Sequence, residues 1–184
     1  MQKKRTGISI DMITYAAVLT TLQIVLGNVL QIPLLGKQYN FGFLPIAAAG
    51  AMLGAPGAMI VGGLGDLLGA HMFPQGSYFP GFTMTNVLVG LICGVLLHRR
   101  KPSIIRVLLA VTASMLLNWL LNSLWLSVLY SSKTYWGWVA VRGLNYTVEI
   151  PVNILLTTLM LHMLVRAGRA LPPSMRLTEG GVKE

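Results

Sequence analysis

The sequence predicts an all-α integral membrane protein: six transmembrane helices in a single compact bundle, with both termini in the cytoplasm. Three observations lead to this prediction, namely the composition, the length of the apolar runs and the placement of the charges. Of the 184 residues, 54% are hydrophobic and 10% are charged, and the mean hydropathy is +0.68. Soluble domains carry about 25% charged residues. The composition therefore excludes an ordinary water-soluble domain, and it is also too apolar for a disordered chain.

Four apolar runs have a length suited to crossing a bilayer as one helix. They are residues 8–30, 82–97, 104–130 and 136–165. A spanning helix needs about 20 apolar residues, and the last two runs are long enough to tilt. The first run exceeds the apolar core of a signal peptide and no A-x-A cleavage pattern follows it, so we expect it to remain as a helix.

The stretch 41–70 is too long for one span and short for two. Two short helices joined at residues 54–57 (GAPG) fit its composition, because Gly and Pro favour a turn. The number of crossings here decides on which side of the membrane each later segment lies. With two crossings the chain has six helices, which we assign to a transmembrane domain over 1–170. The polar segment 171–184 is then expected to be a flexible cytoplasmic tail.

The basic residues support the count of six. Lys and Arg number 14 against 5 acidic residues, giving a formal net charge of +9. Most of them form three clusters beside apolar runs: Lys3, Lys4 and Arg5; Arg99, Arg100, Lys101 and Arg106; Arg166, Arg169, Arg176 and Lys183. Six crossings place all three clusters in the cytoplasm, as the positive-inside rule requires. A nucleic-acid-binding face would interleave basic and aromatic residues, so we expect a lipid bilayer and no nucleic acid as partner.

Polar side chains inside the spans predict a cavity, because each is costly in a bilayer unless it faces protein or water. Two runs carry a polar stripe at helical spacing. The stripes are Asn118, Asn122 and Trp125 in one run, and Arg142, Asn145, Glu149 and Asn153, with Tyr146 beside them, in the other. The predicted topology places the outer loops at about residues 31–40, 71–81 and 131–135. Five residues share one depth below these loops: Asp66, Asn122, Trp125, Arg142 and Asn145. We expect a ligand cavity open to the outside; the alternative is a structural network between helices.

The predicted outer loop at residues 71–82 (HMFPQGSYFPGF) is rich in aromatic residues. Two prolines and two glycines make it irregular. Its aromatic side chains, Tyr78 and Phe79 among them, either cap the cavity and stack on a flat ligand or form a belt at the lipid headgroups. Both interpretations are open at this point.

No pattern of residues indicates an enzyme, a metal site or a cofactor site. The chain has no G-x-x-x-x-G-K-[ST] loop, and residues 62–69 (GGLGDLLG) lack the G-x-G-x-x-G spacing. His71, His98 and His162 are far apart in the sequence, and Cys93 is the single cysteine, so no metal centre is expected.

Together these segments resemble the folate-family substrate-binding (S) component of energy-coupling factor (ECF) vitamin transporters. The family pattern contains GF-x-P, a Gly-Pro turn, D-x-x-G, P-x-G-x-x-x-P-GFT and a helix that ends in basic residues. The chain carries these elements in order at residues 42–45, 56–57, 66–69, 74–83 and 99–101. A second block, NWLLNSLWLSVLY (118–130) and VRGLNYTVEIPV (141–152), is also similar to this family.

The resemblance implies a protein of the prokaryotic plasma membrane that captures folate from outside and delivers it inward. Its implied partners are a transmembrane coupling subunit and two ABC-type ATPases. For folate, Asp66 would bind the amino-pyrimidinone edge of the pterin, and Arg142, with Lys37 or Lys133, would bind the glutamate carboxylates. The rings would stack on Tyr78, Phe79 and Trp125, with Asn122 and Asn145 completing the site. The small residues Ala16, Ala17, Thr20 and Thr21 are the candidate surface for the coupling subunit.

Two positions depart from the family pattern. The family's Ala-x-x-x-Ala pattern in the first helix is Ala17-x-x-x-Thr21 in this chain. The family usually has a lysine a few residues after the arginine that matches Arg142, whereas this chain has Asn145 and then Glu149. A less acidic ligand is therefore an alternative: pantothenate, a thiamine or pyridoxine precursor, or a queuosine precursor. A membrane assembly protein without any ligand is the alternative from a different class.

Overall fold

The computed structural model describes residues 10–34, 37–74, 76–99, 103–130 and 132–167. Within these residues the chain forms five long helices and one two-stranded antiparallel sheet. The helices are α1 (Ile10–Ile24), α2 (Phe43–Met72), α3 (Pro80–Leu97), α4 (Ile104–Leu129) and α5 (Tyr135–Arg166). A π-helical segment (Val25–Val29) extends α1, and strands β1 (Gln31–Leu34) and β2 (Lys37–Asn40) follow it. All five helices, counting α1 with its extension, are long and apolar enough to cross a membrane.

The helices coincide with the apolar runs that the sequence predicts, whereas residues 31–40 differ from expectation. They form a hairpin in which Gln31 pairs with Asn40 and Leu34 with Lys37, where the sequence predicts a loop. Of the three basic clusters, the structure describes Arg99, Arg106 and Arg166; the other members and the predicted tail 171–184 lie outside the described residues.

Helix α2 is divided in two at Gly54. This residue has φ 77° and ψ −170°, a conformation that glycine adopts far more readily than any residue with a Cβ atom. Both ends of α2 contact the same end of α1, because Gly42 lies against Gly27 and Gly69 lies against Asn28. The ends of a straight helix of 30 residues would be about 45 Å apart. The chain therefore reverses direction at Gly54.

The first half of α2 forms the centre of the bundle. Almost every residue from 43 to 54 is buried, and Ala47, Ala49 and Ala51 have no exposed surface. Helices α1, α3 and α5 pack around α2. A segment of this length reaches about 16 Å, roughly half of the apolar thickness of a bilayer. The N-terminal end of this segment lines a cavity with Phe43 and Ile46.

The second half of α2 packs antiparallel against α3 with little space between the two backbones. A Cβ atom added at Gly62 would lie 2.5 Å from the carbonyl oxygen of Asn86, and one added at Gly90 would meet the carbonyl of Ala58. Small residues permit this close approach, as is common between helices in membranes. The packing brings Asp66 of α2 opposite Asn86 of α3.

Large apolar side chains cover the outer faces of the bundle. Leu144 is 81% exposed, Met163 67% and Ile105 66%. A soluble monomer rarely presents so much contiguous apolar surface to water. Lipid is therefore the medium that matches these faces.

Candidate ligand-binding site

A polar cavity of about 310 Å³ lies between the helices. All five helices contribute side chains to it, and Gln31 and Asn40 contribute from the hairpin. Its volume lies within the range of small-molecule sites, about 300–1,000 Å³. Its charged lining residues are Asp66, Arg142 and Glu149, and the uncharged polar side chains of its inner walls are Gln23, Asn28, Asn86, Ser114, Asn118, Asn122, Tyr146 and Asn153.

Two residues of α3 hold the carboxylate of Asp66 in place. Thr83 Oγ1 donates a hydrogen bond of 2.6 Å to Asp66 Oδ2, and Asn86 Nδ2 donates one of 2.9 Å to Asp66 Oδ1. Tyr78 Oη lies 3.0 Å from Thr83 Oγ1. A carboxylate has about four acceptor positions, so Asp66 can still accept two hydrogen bonds from a ligand.

Arg142 is held on the opposite wall by a chain of hydrogen bonds between α4 and α5. Its Nη2 donates to Tyr146 Oη at 3.1 Å, and Tyr146 Oη donates to Asn118 Oδ1 at 2.6 Å. Asn122 Nδ2 donates to the same Asn118 oxygen at 2.9 Å. Trp119 stacks on the ring of Tyr146 with 5.9 Å between ring centroids. The guanidinium of Arg142 is thus held in place by side chains of α4 and α5.

A second cavity of about 360 Å³ adjoins the first. The two share Asn28, Asp66 and Phe82, so these residues form the boundary between them. Tyr78 and other residues of the aromatic loop line the second cavity together with the last turn of α4. A ligand longer than one cavity can extend from the first into the second.

The structure brings only some of the predicted site residues together. Asp66, Asn122 and Arg142 line the first cavity, and Tyr78 lines the second. Phe79 and Trp125 line neither cavity. They pack on each other with 5.6 Å between ring centroids, and Trp125 Nε1 donates to Thr85.

Asn145 also lies outside the lining of both cavities. Its Oδ1 accepts a hydrogen bond of 3.0 Å from Tyr39 Oη of the hairpin. The polar face that α5 turns to the cavity consists of Arg142, Tyr146, Glu149 and Asn153. Of the two further cations, Lys133 lies with its ammonium 5.2 Å from the ring centroid of Trp138, and the side chain of Lys37 lies outside the described residues.

Several lining residues were not predicted from the sequence, because their helices carry no polar stripe. Three isolated polar residues in apolar runs are Gln23 on α1, Asn28 on its π-helical extension and Asn86 on α3. Each of these residues could have been identified singly, because a polar side chain inside a bilayer is costly unless it faces protein or a cavity. Within the described residues no group of three His, Cys, Asp or Glu side chains is placed to hold a metal ion.

Comparison with known proteins agrees with this architecture. Residues 11–161 match the family model described as "ECF transporter, substrate-specific component". The chain belongs to this family. A substrate-specific component of an ECF transporter is a multi-pass protein of the cell membrane and is not an enzyme.

Two curated relatives of this ECF component are both named folate transporter FolT. The protein from Clostridium novyi (strain NT) is 40% identical over 121 residues, which cover 65% of this chain and 70% of the relative. The protein from Leuconostoc mesenteroides subsp. mesenteroides is 26% identical over 131 residues, covering 68% and 71%. A solved structure, "Crystal structure of FolT bound with folic acid", is similar with a TM-score of 0.76 and 25% identity. That match covers 84% of this chain and 95% of the solved chain.

Proposed function

We propose that this protein captures folate from outside the cell and delivers it inward as the substrate-binding component of an ECF importer. The observation that carries the proposal is the placement of opposite charges on two walls of one cavity, Asp66 on α2 and Arg142 on α5. Folate is matched to this arrangement, because its pterin presents N–H donors and its glutamate presents two carboxylates. The names of the two FolT relatives and of the solved structure support the same ligand.

Asp66 accepts hydrogen bonds from the amino-pyrimidinone edge of the pterin in this proposal. Arg142 binds a glutamate carboxylate, for which the planar guanidinium offers two parallel N–H donors. Tyr78 covers the ligand from the second cavity. Phe79 and Trp125 act indirectly: their mutual packing supports the wall that carries Thr85 and Asn86.

We further propose that the chain crosses the membrane six times and has both termini in the cytoplasm. The reversal at Gly54 supports this count, because the two halves of α2 run in opposite directions and the chain returns to the side from which α2 starts. The hairpin, the aromatic loop and the end of α4 fall on one side. Gly54 falls on the other side with Arg99 and Arg166, as the positive-inside rule favours.

The proposed partners are a transmembrane coupling subunit and two ABC-type ATPases. Of the four small residues on α1, Ala17 and Thr21 are exposed, whereas Thr20 is buried and Ala16 packs against the core. The contact surface proposed for the coupling subunit is therefore the face of α1 that carries Ala17 and Thr21. Exposed Ile13, Val18 and Leu22 lie around it.

Isothermal titration of the purified chain in detergent with folate tests the function directly. We expect saturable binding at one site, which Asp66→Asn weakens more than tenfold. Asp11→Asn is the matched control, because Asp11 is an exposed carboxylate at the start of α1. Equal folate affinity in the wild type and in Asp66→Asn would remove Asp66 from the site.

A less acidic vitamin is the second candidate ligand. Glu149 lines the cavity two turns after Arg142 on α5, and its carboxylate disfavours a second negative group nearby. The same titration with pantothenate and with thiamine and pyridoxine precursors separates the candidates. Binding of one of these without folate binding would keep the transporter family and replace the ligand.

A further inference from the structure

We infer that Asn145 acts on the ligand through the hairpin: its hydrogen bond with Tyr39 holds the hairpin across the cavity and slows the departure of the ligand. The inference rests on the proposed function and assigns Asn145 as a positioning residue. It starts from a contact between parts of the chain that are 106 positions apart, in which Tyr39 Oη donates to Asn145 Oδ1 at 3.0 Å.

The two faces of the hairpin meet different parts of the molecule. Gln31 and Asn40 are directly opposite each other in the ladder, and both line the first cavity. Opposite residues share a face of the sheet, and successive residues of a strand alternate between faces. Tyr39, which precedes Asn40, therefore lies on the other face. It lines neither cavity, and its hydroxyl reaches α5.

The base of the hairpin is bound to the extension of α1. Phe41 N donates to Leu26 O at 3.0 Å, and a Cβ atom added at Gly42 would lie 3.0 Å from Gly27 Cα. The backbones are therefore in close contact at this end, whereas the bond with Asn145 joins the hairpin to α5. Residues of α1, of its extension and of α5 all line the first cavity, so the hairpin connects two of its walls.

The bond to α5 lies beside the proposed anion contact. Asn145 follows Arg142 by three residues, so the two side chains are neighbours on the helix surface. The hairpin thus reaches α5 at the end of the cavity where Arg142 would bind a glutamate carboxylate. Asn40 Oδ1 accepts from Gly42 N at 3.2 Å, which leaves the amide nitrogen of Asn40 to donate to the ligand. A ligand that leaves between the hairpin and α5 has to break the Tyr39–Asn145 bond.

Stopped-flow tryptophan fluorescence of the full chain in detergent separates the association and dissociation rates of folate. Tyr39→Phe removes the hydroxyl and keeps the ring, and Asn145→Ala removes the acceptor. We expect each variant to raise the dissociation rate by about two- to tenfold, the effect of one neutral hydrogen bond, while the association rate does not fall. The double variant should dissociate no faster than the single variants, because both changes remove the same bond.

Tyr135→Phe is the matched control, since this tyrosine begins α5 and lines neither cavity. Its dissociation rate should equal that of the wild type.

A cross-link provides a second measurement that does not depend on weakening the contact. In a chain carrying Tyr39→Cys and Asn145→Cys, a short bis-maleimide joins the two thiols after folate has bound. Cys93 is fully buried, so it stays unlabelled. We expect the cross-link to prevent dissociation of folate on the timescale measured for the wild type.

The other outcomes overturn the inference. Wild-type dissociation rates in both single variants, or independent effects that multiply in the double variant, would show that the pair does not act on the ligand. Unchanged release from the cross-linked protein would place the exit at the second cavity, beneath the aromatic loop. Each of these results leaves folate binding intact. Absence of folate binding to the unaltered chain would refute the proposed function and the inference with it.

Discussion

Thr83 Oγ1 lies 2.6 Å from Asp66 Oδ2, and this hydroxyl links the aromatic loop to the candidate site. The single hydrogen of Thr83 goes to the carboxylate, so Tyr78 Oη is the donor in the 3.0 Å contact between the two hydroxyls. Tyr78 lies in the loop before α3, and Asp66 lies in the wall of the cavity. The position of the loop and the orientation of the carboxylate are therefore connected through one side chain.

Thr83→Val keeps the shape of the side chain and removes both hydrogen bonds. Hydrogen bonds to charged groups contribute about 1.5–3 kcal/mol, so we expect folate affinity to fall by about tenfold or more. Thr83→Ser, which keeps the hydroxyl, should recover most of the loss. Isothermal titration measures the folate affinity of both variants. Equal affinities of Thr83→Val and Thr83→Ser would mean that methyl packing rather than the hydroxyl matters at this position.

Tyr146→Phe breaks the chain of hydrogen bonds from Arg142 to Asn118 while leaving the ring stacked on Trp119. We expect unfolding free energy to fall by about 1 kcal/mol and folate affinity to fall several-fold, because the guanidinium loses its anchor. Thermal unfolding and titration of the same samples check the two effects. Tyr135→Phe, outside both cavities, is the control. Wild-type affinity in Tyr146→Phe would argue against a fixed Arg142.

Gly54→Ala tests the reversal within α2. The φ of 77° is strained for alanine, and the new Cβ would lie 3.1 Å from the His98 ring, which covers the turn. Burial and the neighbouring Arg99 lower the pKa of His98 below its ordinary value, which favours the neutral ring. We expect a loss of about 1–3 kcal/mol in unfolding free energy. Gly137→Ala, where an added Cβ has ordinary contacts, should cost far less. Equal unfolding free energies of Gly54→Ala and Gly137→Ala would contradict a chain reversal at Gly54.

Ala17→Leu should prevent assembly with the coupling subunit and leave folate binding by the isolated chain unchanged. The reason is steric, because small residues on an exposed helix face allow a second helix to approach closely. Co-purification with the coupling subunit and ATPases measures assembly. Ala140→Leu places the same side chain on an exposed position of α5 and serves as the control. Normal assembly of Ala17→Leu would move the interface to another face.

The proposed six crossings place the N-terminus and Ser103 on the same side of the membrane and Ser132 on the other. Single cysteines at 103 and 132, with an N-terminal tag, can be probed in intact cells with an impermeant maleimide and a protease. Cys93 is fully buried, so it contributes little background labelling. We expect the maleimide to label the cysteine at 132 and not the one at 103, and we expect the N-terminal tag to be protected from the protease. A tag on the side opposite residue 103 would mean that α2 crosses once.

Much of the fold follows from composition and charge, because bilayer thickness fixes the length of a span independently of packing. The hairpin at residues 31–40 does not follow. It is short, contains Pro33, and lacks the alternation of polar and apolar residues that marks a half-buried strand. Asp66 and Arg142 were identifiable because a charge inside a membrane requires a partner or a cavity.

The rest of the site depends on contacts between residues distant in sequence. Asn145 and Tyr146 are about 100° apart on α5, and packing against Trp119 decides that the tyrosine faces inward. Trp125 shares a helix face with Asn118, but its indole is bound by Thr85, which lies 40 positions earlier. The helical periodicity of the sequence predicts neither of these two interactions.

The close packing of α2 and α3 enlarges the set of residues on which ligand affinity depends. Gly62 does not line the cavity, but it lies against the backbone of Asn86, and Asn86 holds Asp66. A methyl group at this glycine would push α3 outward and turn the carboxylate away from its ligand. Selection for tight binding therefore acts on glycines that never meet the ligand, and mutational scans of affinity should reveal a site larger than the cavity itself.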